Sequence, residues 1–353
     1  MITNMATFKN WGLKEDDSTY IIAEAGINHN GQIEIAKQLI ETAAEKGADC
    51  VKFQKRTVSR ILTKEGLERP YLTDRSFGPT YGEHKKFLEF SNEQFLELFE
   101  FAKQVGIHMT ASGWDEESVD FLASIPVPFL KMASADLTNF PLLEHTAKKG
   151  LPIVLSTGMS DFATVQKAYE LVSSLNPRVA IMQCTSTYPC KPEDIHLNVL
   201  QTYKLAFPRA VLGYSGHEVG IATTVAASVL GAKVVERHFT LDRTMKGGDH
   251  AASLEPGGLE KVCKYIRVCE QSMGSPHKRK LDAEQACFVK LSKSVVSAVS
   301  IPTGTVITRD MLTTKGPGRG ISPMDMDKVV GKKAIKEIPE DSVMCWDEHV
   351  ANE

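Results

Sequence analysis

From Tyr20 onward, short runs of β-branched and other apolar residues alternate with stretches whose apolar positions recur every three to four residues, and most pairs close on Gly or Pro. Runs of the first kind predict strands at 20–26, 49–54, 107–112, 128–134, 152–158, 179–185, 210–217 and 233–240. The stretches between them read as helices. In IEIAKQLIETAAEKG, for example, Ile33, Ala36, Ile40 and Ala43 share one side, and Gly47 stands where a C-cap belongs. Eight successive βα units and a last helix over 257–274 predict an α/β fold, a closed (β/α)8 TIM barrel. The alternative is an open doubly wound sheet, because strand order is not written in the sequence. The first strand is not followed by Gly-x-Gly-x-x-Gly, which counts against the dinucleotide-binding version of that sheet.

Two segments break this rhythm. Residues 55–92 are too long for an ordinary βα connection, are rich in Lys, Arg, Tyr and Gly, and follow a strand end. In a barrel that position lies on the face that carries chemistry. After Gly274 the pattern changes to a charged linker over 275–291. A small, mostly β module with tight turns follows over 292–353. So small a module is expected to have little core of its own and to lean on a larger surface, either this chain's barrel or a partner's. The expected organisation is thus an extension over 1–19, a barrel over 20–274, the linker and the module.

Buried parallel strands should be apolar throughout, yet nearly every predicted strand ends on residues able to bind a ligand. They are Glu24, Lys52 with Gln54, Thr110 with Ser112, Lys131 with Ser134, Ser156 with Thr157, Thr185 with Ser186 and Tyr188, Ser215 with His217, and Glu236 with His238. A barrel brings all of these to one mouth, whereas any one of them alone reads equally as a strand-end cap. Lys52 and Lys131 are costly to bury without an anion or a carboxylate, so a small phosphate or carboxylate substrate fits them, as would structural glutamates. A desolvated lysine also admits Schiff-base chemistry of the aldolase type. His217 and His238 end consecutive strands and are candidate ligands for a divalent ion, or else an acid/base or phosphate-binding pair. Glu24 and Asp249 could act as base or ligand, and His29, His84 and His250, in or near the loops that follow the strands, are further possible contacts. Cys184 and Cys190 read as packing or loop residues.

Composition narrows the partners. With 41 Lys+Arg against 44 Asp+Glu, the net charge of -3 offers no general field for nucleic acid or an anionic membrane. Seven cysteines without a Cys-x-x-Cys pair fit a reducing compartment. No apolar run reaches membrane-spanning length, and the N-terminus lacks the h-region of a secretory signal, so the expectation is a soluble cytoplasmic protein.

The strand-end strings IIAEAGINHNG, GADCVKFQ, HMTASGWDE, FLKMASAD, LSTGM, QCTSTYP, LGYSGHEVGIA and ERHFTLD resemble the N-acetylneuraminate (sialic acid) synthase family, including its C-terminal antifreeze-like, or SAF, domain. LERPY and YGEHKKFLEFS are similar to strings of its animal-type members, which use a phosphorylated sugar. The resemblance implies condensation of phosphoenolpyruvate with N-acetylmannosamine or its 6-phosphate, assisted by a divalent metal ion, Mn2+ or Mg2+. It implies a homodimer in which each SAF domain is swapped over the partner's barrel. It also implies that Lys52, Thr110, Lys131, Ser134 and Ser156 cradle phosphoenolpyruvate, and that His217 and His238 hold the metal. Glu24, Gln54, Tyr188, Ser215 and Asp249 then face the open-chain sugar, with Ser186 standing where some bacterial members have Asn. In KGPGRG (315–320), Arg319 either replaces an arginine that reaches the partner's sugar site in bacterial members or serves the loop. Within the 55–90 insertion, Arg69 and Arg75 are the expected contacts to an acceptor phosphate, because guanidinium offers a two-point contact. Relatives acting on legionaminate or pseudaminate precursors, an aldolase or lyase, and a non-enzymatic binding protein are the alternatives.

Overall fold

The computed structural model describes residues 7–351. Eight parallel strands form a closed barrel in chain order: β1 (Tyr20–Gly26), β2 (Cys50–Lys55), β3 (His108–Gly113), β4 (Leu130–Met132), β5 (Ile153–Ser156), β6 (Val179–Cys184), β7 (Val211–Gly216) and β8 (Val234–His238). Closure is direct, since β8 pairs with β1 from Tyr20↔Val234 to Glu24↔His238. The open-sheet alternative is thereby excluded. β4 and β5 are shorter than the sequence pattern, because the chain turns into a 3-10 helix at Ser134–Asp136 and leaves β5 after Ser156.

Strand alternation builds two cores. Outward residues such as Ile21, Ala23, Val51, Phe53, Leu130 and Val235 pack under the helices in one large cluster. Inward residues near the strand starts, among them Tyr20, Ile22, Cys50, Phe129, Val154, Met182 and Val234, form a second cluster inside the barrel. The same inward rows continue with Glu24, Lys52 and Gln54, Lys131, Ser156, Ser215, and Glu236 and His238. Each row is therefore apolar at the bottom and polar at the top. The extension also contributes: Phe8 stacks on Tyr20 with ring centroids 4.5 Å apart and meets Phe129 edge-on at 5.9 Å. Phe8 thus belongs to the inner cluster and closes the bottom of the barrel.

The 55–92 insertion is ordered into short helices at Val58–Ile61, Lys64–Glu68 and Tyr81–Phe87. The last begins with a capping box, in which Thr80 Oγ1 accepts from Glu83 N at 3.2 Å and Thr80 N donates to Glu83 Oε2 at 3.1 Å.

A second compact unit begins at Ser275. The stretch expected to be a linker contains a 3-10 turn at Asp282–Glu284 and a helix at Gln285–Leu291. Beyond it, β9 (Ser294–Ser297) pairs antiparallel with β10 (Leu312–Lys315), and isolated bridges such as Ile301↔Ile338 tie the turns together. Contrary to the expectation of little core, this unit buries its own cluster of Val295, Ile301, Ile307, Leu312, Ile321, Val329, Ile338 and Met344. Well-spaced aliphatic residues on short segments suffice for it.

Candidate active site

A cavity of about 320 Å³ opens at the C-terminal ends of the strands. Glu24, Lys52, Gln54, Lys131, Ser134, Ser156, Ser186, Tyr188, Ser215, His217, His238 and Asp249 all line it. Its floor is an alternating set of buried charges. Lys52 Nζ lies 2.5 Å from Glu24 Oε2 and 3.7 Å from Glu236 Oε1, and it donates to Ser112 Oγ at 3.0 Å. Lys131 Nζ lies 3.8 Å from the same Glu236 oxygen and donates to Ser156 Oγ at 2.8 Å. Gln54 Nε2 donates to Glu24 Oε1 at 3.3 Å, and Ser215 Oγ donates to Glu236 Oε1 at 3.4 Å.

These neighbours divide the protonation states. Burial lifts the Glu24 carboxyl well above the ordinary carboxylate range against the pull of the Lys52 ammonium, and Glu236 adds to the rise. Burial acts the same way on Glu236, but Lys131 and Lys52 outweigh it and keep that carboxylate low. Lys52 is held above its usual value, its desolvation being overcome by Glu236 and Glu24, whereas burial keeps Lys131 below its usual value despite Glu236. Glu24 is thus the group closest to carrying a proton, beside a charged Lys52. Glu236 Oε2 is buried without a hydrogen-bond partner, and Glu24 Oε2 is met only by the Lys52 ammonium.

His217 and His238 stand over this floor with ring centroids 5.3 Å apart. His217 Nδ1 lies 2.9 Å from the Thr185 carbonyl, which can only accept, so this nitrogen carries a proton; burial, which would lower the ring, is outweighed by Cys184 and that carbonyl, which hold it above its usual value. Burial holds His238 down to about 4, which keeps its ring neutral, and its buried Nδ1 has no hydrogen-bond partner, with Asp249 Oδ2 3.8 Å away. A neutral His238 and an oriented His217, which would give up any proton on Nε2 as an ion binds, fit a divalent ion with an acid beside them and its remaining positions filled by water or substrate oxygen. The exposed Tyr188 ring packs against His217 at 4.2 Å.

Several expected residues lie elsewhere. Thr110 is not in the cavity lining; its hydroxyl donates to the Phe129 carbonyl at 2.8 Å, a contact between neighbouring strands. Arg69 and Arg75 are exposed and outside the lining, and the Arg69 guanidinium lies over the Tyr81 ring at 5.1 Å. Arg319 is exposed in a turn of the second unit. His29, His84 and His250 are buried and engaged within the fold: His29 stacks on Phe90 at 4.1 Å, His84 Nδ1 accepts from Phe77 N at 3.2 Å, and His250 Nδ1 lies 2.7 Å from Thr240 Oγ1.

Glu236, named with His238 among the strand-end residues able to bind a ligand, had no substrate or catalytic role assigned to it, although its place two residues before His238 on an inward row signals one. Lys85, Trp114 and Cys184 also line the cavity. Lys85 was one cation among many in a charged insertion, and Trp114 and Cys184 carried no sequence signal beyond their position after or at a strand end.

The chain is similar to proteins of known name along most of its length. The SAF domain model matches residues 292–348. The N-acetylneuraminate-9-phosphate synthase of Homo sapiens is 51% identical over 326 residues, covering 92% of this chain and 91% of the human one, and that of Mus musculus is 52% identical over the same length. The crystal structure of N-acetylneuraminic acid synthetase from Leptospira borgpetersenii in complex with citrate superposes with a TM-score of 0.67 at 30% identity, covering 76% of this chain and 90% of that one. With the NeuB family model itself matched over residues 39–278, across the barrel that holds this cavity, the chain belongs to the NeuB family.

Proposed function

We propose that the chain is a sialic acid synthase that joins phosphoenolpyruvate to N-acetylmannosamine 6-phosphate, giving N-acetylneuraminate 9-phosphate and inorganic phosphate. The observation that carries this reading is the buried Lys52–Glu24 and Lys131–Glu236 floor beneath two imidazoles in one cavity. It is supported by the identity to synthases of that name in human and mouse.

Phosphoenolpyruvate brings a carboxylate and a phosphate, and Lys52, Lys131, Ser134 and Ser156 suit them. Gln54, Tyr188, Ser186, Ser215 and Asp249 suit the hydroxyl and amide groups of an open-chain amino sugar. A divalent ion, Mn2+ or Mg2+, held by His217 and His238 would supply Lewis-acid polarisation of the acceptor's carbonyl. In the reaction C3 of phosphoenolpyruvate attacks that carbonyl carbon, the carbonyl oxygen takes up a proton, and the electron-poor C2 adds water. That water gives up one proton to become the C2 hydroxyl, and the C2–O bond to phosphate then breaks, the hydroxyl proton leaving with the phosphate and a ketone remaining at C2. Glu24, kept high by burial, suits delivery of the first proton, and the ionised Glu236 suits acceptance of the second. The lysines balance carboxylate and phosphate throughout.

The assembly we infer is a homodimer with the SAF domain swapped over the partner's barrel, which would keep bulk water from the reacting carbons. The cysteines are all free, which supports a reducing, cytoplasmic setting. No helix among the described residues is long and apolar enough to cross a membrane.

A phosphate-release assay with phosphoenolpyruvate, Mn2+ and either N-acetylmannosamine or its 6-phosphate, followed by product mass, tests the function. Faster release with the 6-phosphate and a product of nine-carbon mass is expected. Release with neither sugar, or a lysine adduct trapped by borohydride, would replace this reading by aldolase chemistry or binding alone.

A further inference from the structure

The corner of the cavity near the ends of β2 and β3 carries more positive charge than the chain balances. Arg56, the residue after β2, is buried, and Glu89 meets only part of it: Arg56 Nε donates to Glu89 Oε2 at 2.9 Å, and Arg56 N donates to Glu89 Oε1 at 2.8 Å. Both Nη groups are buried without a hydrogen-bond partner. So is Nε1 of Trp114, whose ring lies 5.7 Å from the guanidinium carbon. Unmet buried donors of this kind cost stability, and a retained cluster of them marks a place for acceptor oxygens.

Lys85 stands at the edge of the same corner. It lies on the helix Tyr81–Phe87, lines the cavity with Trp114, and rests its ammonium over the Tyr81 ring at 5.1 Å. Among the described residues it forms no ion pair with a carboxylate. Burial, and then the Arg56 charge, hold its ammonium down to about 8, with Asp249 and Glu89 opposing only in part. A half-buried cation without a counterion behaves in this way.

We propose that Lys85 receives the terminal phosphate of the acceptor sugar, with Arg56 behind it as a fixed positive charge held against Trp114, so that this corner selects a phosphorylated acceptor. The assignment rests on the reading of the acceptor as a 6-phosphate and replaces Arg69 and Arg75, which are exposed, as its recognition residues. A phosphate monoester brings up to two negative charges and three acceptor oxygens. It would restore the charge of Lys85 and offset the Arg56 field. Phosphoenolpyruvate is left to Lys52 on the cavity floor and to Lys131, Ser134 and Ser156, which come from β4 and β5 and the turns after them, a different part of the rim. Arg56 acts here as a positioning residue through its field on Lys85.

The test measures kcat/KM on the full-length enzyme for N-acetylmannosamine 6-phosphate and for N-acetylmannosamine, and the KM for phosphoenolpyruvate. In Lys85→Gln the ratio of the two sugar values should fall about 10- to 100-fold, the loss expected for one charge-assisted contact. Lys85→Arg should keep most of the ratio, and Arg56→Lys should lower it less than Lys85→Gln does. An unchanged ratio in Lys85→Gln, with the unmodified enzyme preferring the 6-phosphate, overturns the assignment alone. So does a rise confined to the KM for phosphoenolpyruvate. No preference in the unmodified enzyme overturns the phosphorylated-acceptor reading and the assignment with it.

Discussion

Lys52 Nζ and Glu24 Oε2 face each other at 2.5 Å, with their side chains 2% and 3% exposed. Such a pair survives burial only because each partner compensates the other. Lys52→Met should therefore destabilise the barrel by about 3–5 kcal/mol, the usual cost of leaving a buried charge unpaired, and abolish turnover. Adding Glu24→Gln should recover much of the stability and none of the activity. Denaturant unfolding followed by tryptophan fluorescence, beside phosphate release, checks both. A double variant no more stable than Lys52→Met would argue that the pair is not coupled.

Lys131 tests the phosphoenolpyruvate assignment. Lys131→Met should lower kcat/KM for phosphoenolpyruvate by an amount equivalent to about 2–5 kcal/mol, as expected for a desolvated charge-assisted contact. Ser156→Ala removes only the hydroxyl that accepts from Lys131 at 2.8 Å, and about 0.5–1.5 kcal/mol should be lost. Both losses should appear in the KM for phosphoenolpyruvate more than in that for the sugar.

Metal removal tests the histidine pair. Protein treated with EDTA should lose condensation activity and regain it with Mn2+ or Mg2+. Titration calorimetry should detect Mn2+ binding to the unmodified protein and not to His217→Gln or His238→Gln. Binding that persists in both variants would move the metal elsewhere.

Much of this site was legible because barrel strands alternate strictly. Once the eight strands were recognised, the inward rows through Lys52 and Gln54, Lys131 and Ser156, Ser215, and His238 followed from spacing by two. The same rule misleads where a side chain is spent on its neighbour, as Thr110 is on the Phe129 carbonyl. It also leaves the insertion unread. Charge density there pointed to an anion and the two-point guanidinium contact favoured arginine, but which cation faces the cavity depends on the short helix Tyr81–Phe87, which turns Lys85 inward while Arg69 and Arg75 remain outside. Thr80 and Glu83, three residues apart, were the sequence signal for that helix.

Gly158 makes a prediction from space alone. A Cβ there would lie 2.2 Å from Ser186 Oγ and 2.8 Å from Ser134 Oγ, closer than atoms can approach. Gly158→Ala should displace both hydroxyls, raise the KM for phosphoenolpyruvate and cost about 1–3 kcal/mol of stability. Adding Ser186→Gly should return part of the stability while the Ser134 contact stays disturbed. Thermal melts and steady-state kinetics of the two variants separate these effects.

The pH dependence of sugar discrimination follows from Lys85. Its ammonium is held down to about 8 by burial and by Arg56, with Asp249 and Glu89 opposing. The side chain of Tyr81, over which it rests, is itself pushed up by burial and stays neutral. Because this value lies below that of an ordinary lysine, the free enzyme loses the Lys85 charge as pH rises through about 8, whereas an unshifted lysine would keep it. The acceptor's phosphate has the opposite limit, since a phosphate monoester dianion takes up a proton and loses one charge at about pH 6. The ratio of kcat/KM for the 6-phosphate over the unphosphorylated sugar should therefore be largest between about pH 6 and pH 8 and fall on both sides. Limbs due to Glu24 act on both sugars and cancel in the ratio. Lys85→Arg should abolish the alkaline fall, since guanidinium does not titrate in this range, and leave the acidic fall intact. A ratio flat through pH 9 in the unmodified enzyme would mean that the charge of Lys85 does not reach the acceptor.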